Sequence, residues 1–113
     1  MHEISIAQDL STIVLEVAGK EKLVRVTKVN ISFGQMIQIV PEIFNFAFKE
    51  AVRDTIAMNA DVDIEILPVR IKCKNCKDEF NINDYTFSCI RCGSTDLDII
   101  QGKELFIKSI EGE

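Results

Sequence analysis

The sequence holds a single histidine, two prolines and five glycines, and no apolar run approaches the roughly 20 residues that a membrane-spanning helix needs. With the one histidine at position 2, no Ser-His-Asp set can be assembled anywhere else in the chain. No GxxxxGK phosphate loop followed by Ser or Thr occurs, and no paired-carboxylate pattern marks a catalytic cleft. These absences predict a protein that is not an enzyme, one for which any nucleotide hydrolysis comes from a partner. Surplus basic charge is missing too: 13 Lys and Arg stand against 18 Asp and Glu, a formal net charge of −5. Nucleic-acid affinity rests on clustered cations, so no nucleic-acid partner is expected as the main business. The start MHEISIAQDL lacks the basic region and apolar stretch of a secretory signal, which predicts a cytoplasmic location with no membrane association.

What is present suits one modest core and a metal-stapled satellite: 113 residues, 47% hydrophobic, with seven Phe. Residues 5–19 read as a helix, because Ile6, Leu10, Ile13, Val14 and Val17 make one apolar stripe. Ser5 and Gln8 have capping-box spacing, and Gly19 suits the stop. A strand follows at about 23–33, where Val29, Ile31 and Phe33 alternate with polar residues. Pro41 and Glu42 open a second helix, expected to end by Asn59, with Phe44, Ala47, Phe48, Ala51 and Val52 on its buried side. Val62, Ile64 and Ile66 alternate in a further strand that Pro68 interrupts, placing it at an edge or bulge. Extended character resumes through 97–110. The predicted fold class is α/β (α+β): two helices on a three-stranded, mostly antiparallel sheet, with a cysteine loop inserted between the last two strands.

That loop reads Cys73-x2-Cys76, twelve residues, Cys89-x2-Cys92. Two residues between thiols let a tight turn aim both sulfurs at one ion, and two such pairs complete a tetrahedron, the arrangement of a structural zinc site. Closed four-thiolate coordination leaves no open position for catalysis. A redox dithiol, a pair of disulfides and a small iron site are the competing readings; a reducing cytosol and the doubled pattern favour zinc. Within 70–92, Arg70, Lys72, Lys74, Lys77 and Arg91 outnumber Asp78, Glu79 and Asp84, a narrow footing for the alternative function, a zinc-ribbon module contacting nucleic acid or a transcription assembly. Phe80, Tyr85 and Phe87 could stack on bases but suit packing around the loop equally well.

His2 has coordination chemistry that depends on its position. The terminal amine of Met1, the His2 amide nitrogen and its imidazole Nδ1 can close fused five- and six-membered chelate rings, and Glu3 offers a fourth donor. Planar nitrogen and oxygen coordination suits Ni(II) or Cu(II). The chelate requires Met1 to stay in place with a free amine, which the bulky second residue favours. A frayed terminus whose histidine happens to stand second is the competing reading, and three residues of chemistry do not choose between the two.

The opening Met-His-Glu, the segment PEIFNFAFKEAV, the strand ILPVRIKC and the CxxC-x12-CxxC block together resemble the HypA family of nickel metallochaperones for NiFe-hydrogenase maturation, in order and over essentially the whole chain. The resemblance implies a nickel-binding domain, here residues 1–72 plus 97–113, and a zinc-binding domain, residues 73–96. It also implies nickel at Met1, His2 and Glu3, zinc at Cys73, Cys76, Cys89 and Cys92, and nickel as cargo delivered with a HypB-type GTPase to a hydrogenase large subunit precursor. The GTPase is expected near the first helix, where Glu16 and Lys20 are candidate contacts. A further donor that some relatives carry before the second helix has no clear match in QMIQIVPE, where Val40 stands in the region and Glu42 follows. Some members also serve urease, and both a monomer and a homodimer, swapped or not, are open to the chain.

Overall fold

The helix-forming periodicity at the start of the chain extends further than its first apolar residues suggest. In the structure, a computed structural model that describes residues 2–82 and 87–113 with the His2 side chain excepted, α1 runs His2–Lys20. Ser5 therefore lies inside the helix and not at its cap. The buried stripe is Ala7, Leu10, Val14 and Ala18, while the predicted Ile13 and Val17 are 45% and 37% exposed. The stripe sits round the helix from the one expected because the small Ala7 and Ala18 take part in the burial, and α1 packs on α2. The helix stops beyond Gly19. Lys22 adopts a left-handed φ of 57°, its N–H donates to Gly19 O at 3.2 Å, and Leu23 N–H donates to Ala18 O at 2.9 Å, the paired bonds of a Schellman ending.

Strand β1 spans Val26–Gly34 and buries Val29, Ile31 and Phe33 as the alternation predicts. A short 3-10 turn, Gln35–Ile37, leads to α2 at Pro41–Ala51, whose Phe44 and Phe48 are wholly buried with ring centroids 5.9 Å apart. Helix α2 ends earlier than Asn59: Asp54 turns left-handed at φ 62° and Thr55 Oγ1 donates to Val52 O at 2.5 Å, giving a turn where helix was expected. Pro68 divides β2, Asp61–Leu67, from β3, Val69–Cys73. Strands β4, Glu79–Ile82, β5, Leu97–Gln101, and β6, Leu105–Gly112, follow.

These strands form two sheets of three, ordered β2-β1-β6 and β4-β3-β5. The first is the predicted three-stranded sheet. Its β1 and β6 run antiparallel, with Thr27 Oγ1 donating to Glu111 O at 3.1 Å and Asn30 Nδ2 to Ser109 Oγ at 2.8 Å. The second is additional. There β3 pairs antiparallel with β4, Ile71 opposite Phe80, and with β5, Ile71 opposite Ile99.

The chain divides into two compact units. The first comprises Met1–Ser32, Ile39–Glu65 and Phe106–Glu113, and its core includes Val14, Val29, Ile31, Phe44, Phe48 and Val52. The second comprises Phe33–Gln38 and Ile66–Leu105 around a small cluster of Val69, Ile71 and Ile82, flanked by Met36, Phe80, Leu97 and Ile99. In this second unit β3 pairs with both β4 and β5; the β3–β4 connection carries Cys76 after Cys73 at the end of β3, and the β4–β5 connection carries Cys89 and Cys92. Within this unit the 33–38 segment is stitched in by backbone bonds: Gly34 N–H to Glu104 O at 2.7 Å and Met36 N–H to Gly102 O at 2.9 Å.

Candidate metal centre

Each CxxC pair builds the same turn. Cys73 N–H donates to Asp78 O at 2.8 Å and Lys77 N–H to Cys73 O at 2.9 Å; in the second pair, Cys89 N–H donates to Ser94 O at 2.8 Å and Gly93 N–H to Cys89 O at 2.9 Å. The residue four places after the first cysteine is left-handed in both, Lys77 at φ 68° and Gly93 at φ 75°. Only Gly93 was legible as a turn former; a lysine carries no such signal, and only the register of the two pairs identifies Lys77 as its equivalent.

The turns bring all four sulfurs within 4.8 Å of one another. Cys73 Sγ lies 3.6 Å from Cys92 Sγ, and Cys76 Sγ lies 3.5 Å from Cys89 Sγ. Metal–sulfur bonds of about 2.3 Å in a tetrahedron require sulfur–sulfur edges of about 3.8 Å, so the set fits a closed tetrahedral ion of that size. Among the described residues, it is the group of three or more Cys, His, Asp or Glu side chains placed to hold a metal. Backbone amides point at the sulfurs: Cys76 N–H at 3.5 Å from Cys73 Sγ, and Arg91 and Cys92 N–H each at 3.4 Å from Cys89 Sγ. Asn75 Nδ2 reaches Cys92 Sγ at 3.6 Å.

This arrangement separates the thiols by acidity. The Cys92 amide, opposed by burial and helped by the Arg91 amide, brings Cys89 down to about 6. The Cys76 amide does the same for Cys73, against burial, and lowers its pKa. At Cys76 the Asp78 amide pulls downward, but burial and the sharing of hydrogen bonds with Cys89, Cys73 and Cys92 outweigh it and push the thiol up to about 12. Without a metal, four adjacent thiolates cannot coexist; a bound cation supplies the compensating charge.

Three of the five surrounding cations are engaged. Arg70 pairs with Glu79 at 3.5 Å, Lys74 with Asp98 at 3.4 Å and Asp96 at 3.6 Å, and Arg91 with Asp78 at 2.7 Å. Of the five cations counted from sequence, Lys72 and Lys77 enter no ion pair among the described residues, and Asp84 lies outside them. Phe80 packs on the Val69, Ile71 and Ile82 cluster, Phe87 is 38% exposed, and Tyr85 lies outside the described residues.

Of the amino-terminal donors, Met1 and the His2 side chain lie outside the described residues. Glu3 is buried in the first turn of α1. Val40 is the exposed residue preceding α2, and Glu42 stands exposed in its first turn. Glu16 and Lys20 are exposed on α1. Among the described residues no helix is long and apolar enough to cross a membrane.

Fold and site together define a small α+β protein with a four-cysteine metal module. The family model described as "Hydrogenase/urease nickel incorporation, metallochaperone, hypA" matches residues 1–112, and the chain belongs to this family. It is a maturation factor of that family and not an enzyme. It is 38% identical over 112 residues to hydrogenase maturation factor HypA of Desulfatibacillum aliphaticivorans, covering 98% of this chain and 86% of that one. To HypA of Aquifex aeolicus it is 35% identical, covering 100% and 98%, and to hydrogenase maturation factor HybF of Klebsiella pneumoniae 34%, covering all of both. The solution structure of the Ni metallochaperone HypA from Helicobacter pylori superposes with a TM-score of 0.69 at 26% identity, covering 97% of this chain and 96% of that one. A second HypA solution structure gives 0.76 at 27% identity, covering 100% and 97%.

Proposed function

We propose that the chain carries Ni(II) at its amino terminus and delivers it during hydrogenase maturation, with nickel held by the Met1 amine, the His2 amide and imidazole, and a donor from Glu3. The observation that carries this reading is the family match from residue 1 to residue 112, which includes the opening Met-His-Glu. The start of α1 at His2 supports it, because the first N–H groups of a helix fall outside its own bonding pattern, and a metal can displace such an amide proton. Zinc is the resident ion at Cys73, Cys76, Cys89 and Cys92, a reading supported by the sulfur spacing and the closed thiol set. The nickel function belongs to the α/β unit and the structural metal to the cysteine unit. The chain works in the cytoplasm with the hydrogenase maturation machinery: a HypB-type GTPase supplies nucleotide hydrolysis, docking near α1, and the large subunit precursor receives the metal.

The test is calorimetric nickel titration with X-ray absorption on three proteins: native-start, amino-terminally tagged and His2→Ala. One nickel per chain with nitrogen and oxygen donors is expected in the first, and loss of specific binding in the other two. The tag converts the terminal amine to an amide while leaving every side chain intact. Unchanged affinity in the tagged protein, or a nickel–sulfur shell in the native one, overturns the site.

A further inference from the structure

The sheet of the α/β unit has an outer strand with an unusual edge. In the order β2-β1-β6, β2 is terminal, and among the described residues no strand pairs with its far side. Its sequence DVDIEIL contains no Pro, Gly or Lys, the devices by which natural edges are commonly protected from pairing. All three of its charges are acidic and share one face of the strand. Glu65 accepts a hydrogen bond from Ser32 Oγ at 3.1 Å, whereas Asp61 and Asp63 are exposed and enter no ion pair among the described residues.

A cleft of about 580 Å³ follows this strand, lined by Asp61, Val62 and Asp63, by Lys28 of β1, and by Asn45, Phe46 and Lys49 of α2. Two of these residues have unmet needs. Phe46 is 71% exposed on a helix whose other phenylalanines are wholly buried. Asn45 Oδ1 is buried without a hydrogen-bond partner, an acceptor that lacks a donor.

We propose that the β2 edge receives an extended segment of a partner protein as an added strand, with basic and apolar residues alternating along it. An incoming strand would supply N–H and C=O groups to the unpaired side of β2. Its residues of one parity would lie opposite Asp61, Asp63 and Glu65, where Lys or Arg is the favoured cross-strand neighbour. Those of the other parity would face α2 and cover Phe46 and Val62. Lys28 does not reverse this preference. It stands on β1, a strand further away, so it is about 10 Å from an added strand against about 5 Å for the β2 aspartates, and salt screens it correspondingly more. A second copy of this chain is a poor occupant, because β2 against β2 sets acid against acid.

The experiment titrates the full-length, isotope-labelled protein with the probe Lys-Val-Lys-Thr-Lys-Val-Lys and with its counterpart in which every Lys is Glu, followed by NMR and amide exchange. The basic probe should slow exchange within 61–67 and shift Asn45 and Phe46, and the acidic probe should do neither. Phe46→Ala should weaken binding about tenfold. Asp61→Lys with Asp63→Lys should reverse the preference between probes, and Asp61→Asn with Asp63→Asn should abolish the discrimination. Nickel titration should be the same in these variants as in the native protein, so this proposal and the nickel reading fail separately. No binding at millimolar probe, shifts centred on other elements, equal response to both probes, or protection of 61–67 that rises with protein concentration alone would each overturn it.

Discussion

At the scale of single residues, the four cysteines were fully legible, because CxxC spacing is a geometric instruction that survives without knowledge of the fold. The backbone that aims them was only half legible. Gly93 and Lys77 occupy equivalent left-handed positions, yet only one advertises it. Lys77→Gly should therefore stabilise its turn by about 0.5–1 kcal/mol, while Gly93→Val should destabilise the second turn by about 1–2 kcal/mol despite the open space around Gly93. Thermal melts of the metal-loaded proteins read both signs; a neutral outcome at both positions would separate backbone strain from turn stability here. The thiol acidities lead to a second expectation. Near neutral pH Cys89, at about 6, is already ionised in the preformed site and Cys76, at about 12, is not, so metal binding to that site should release fewer than four protons, whereas binding to a cysteine unit that has lost its structure, its thiols back near the ordinary value, should release close to four. For a depressed acid such as Cys89, the stabilisation of the metal-free site is present above the ordinary value of 9.0 and is lost as the pH falls through about 6. As the pH falls from about 7 to about 5, on either side of that value, proton release on metal binding to the preformed site should climb by about one, and apparent affinity should fall. Calorimetry in buffers of different ionisation enthalpy measures the count, and a release that stays constant across the interval would contradict the assigned acidities.

At the scale of elements, α1, α2, β1 and β2 could be read from periods of 3.6 and 2, and Pro68 announced the break between β2 and β3. Strand β4 could not be read, because EFNI sits inside the excursion between the cysteine pairs and its alternation is too short to stand out. The fate of 33–38 was equally hidden. Nothing in FGQMIQ foretells that it packs with 101–104, a pairing across some seventy residues that depends on two glycines. A Cβ on Gly34 would lie 2.0 Å from Gly102 O and 2.5 Å from Lys103 N, both backbone atoms that cannot swing aside. Gly34→Ala should thus cost about 2 kcal/mol or more through forced separation of these segments. Gly19→Ala is the matched control: nothing lies within 4 Å, it is helical, and the change should stabilise by about 0.5–1 kcal/mol. Denaturant unfolding of the two variants side by side decides the matter, since equal midpoints would mean that the 33–38 crossing relaxes without cost.

At the scale of the whole molecule, the second sheet was hidden in the sequence because β4 is short, β3 pairs with β5 across the whole cysteine loop, and β3 and β5, taken in order, look like ends of strands belonging to the first sheet. What distinguishes the two units energetically is the size of their cores. The α/β unit buries Val14, Val29, Ile31, Phe44, Phe48 and Val52, whereas among the described residues the cysteine unit buries Phe33, two of its cysteines and a cluster of Val69, Ile71 and Ile82 with half-covered flanks. A cluster of three aliphatic side chains contributes on the order of 5–9 kcal/mol of burial, about 1.5–3 each, against an entropy cost of about 1–2 kcal/mol for every residue ordered. The cysteine unit therefore depends on its metal, and the α/β unit does not. Stripping the ion with a strong chelator under reducing conditions should abolish amide protection at Ile71, Cys73 and Ile99 while leaving Ile31, Phe44 and Phe48 protected, and Cys76→Ser should reproduce the pattern. Because the proposed nickel donors belong to the α/β unit and none is a cysteine, the stripped native-start protein should still take up one nickel. Hydrogen exchange with and without chelator, followed by nickel titration of the same samples, tests both parts. Loss of protection throughout the chain in a single cooperative step would show that the two cores fold as one and that the metal holds the whole protein, and retained protection at Ile71 and Ile99 would show that the small cluster suffices without it.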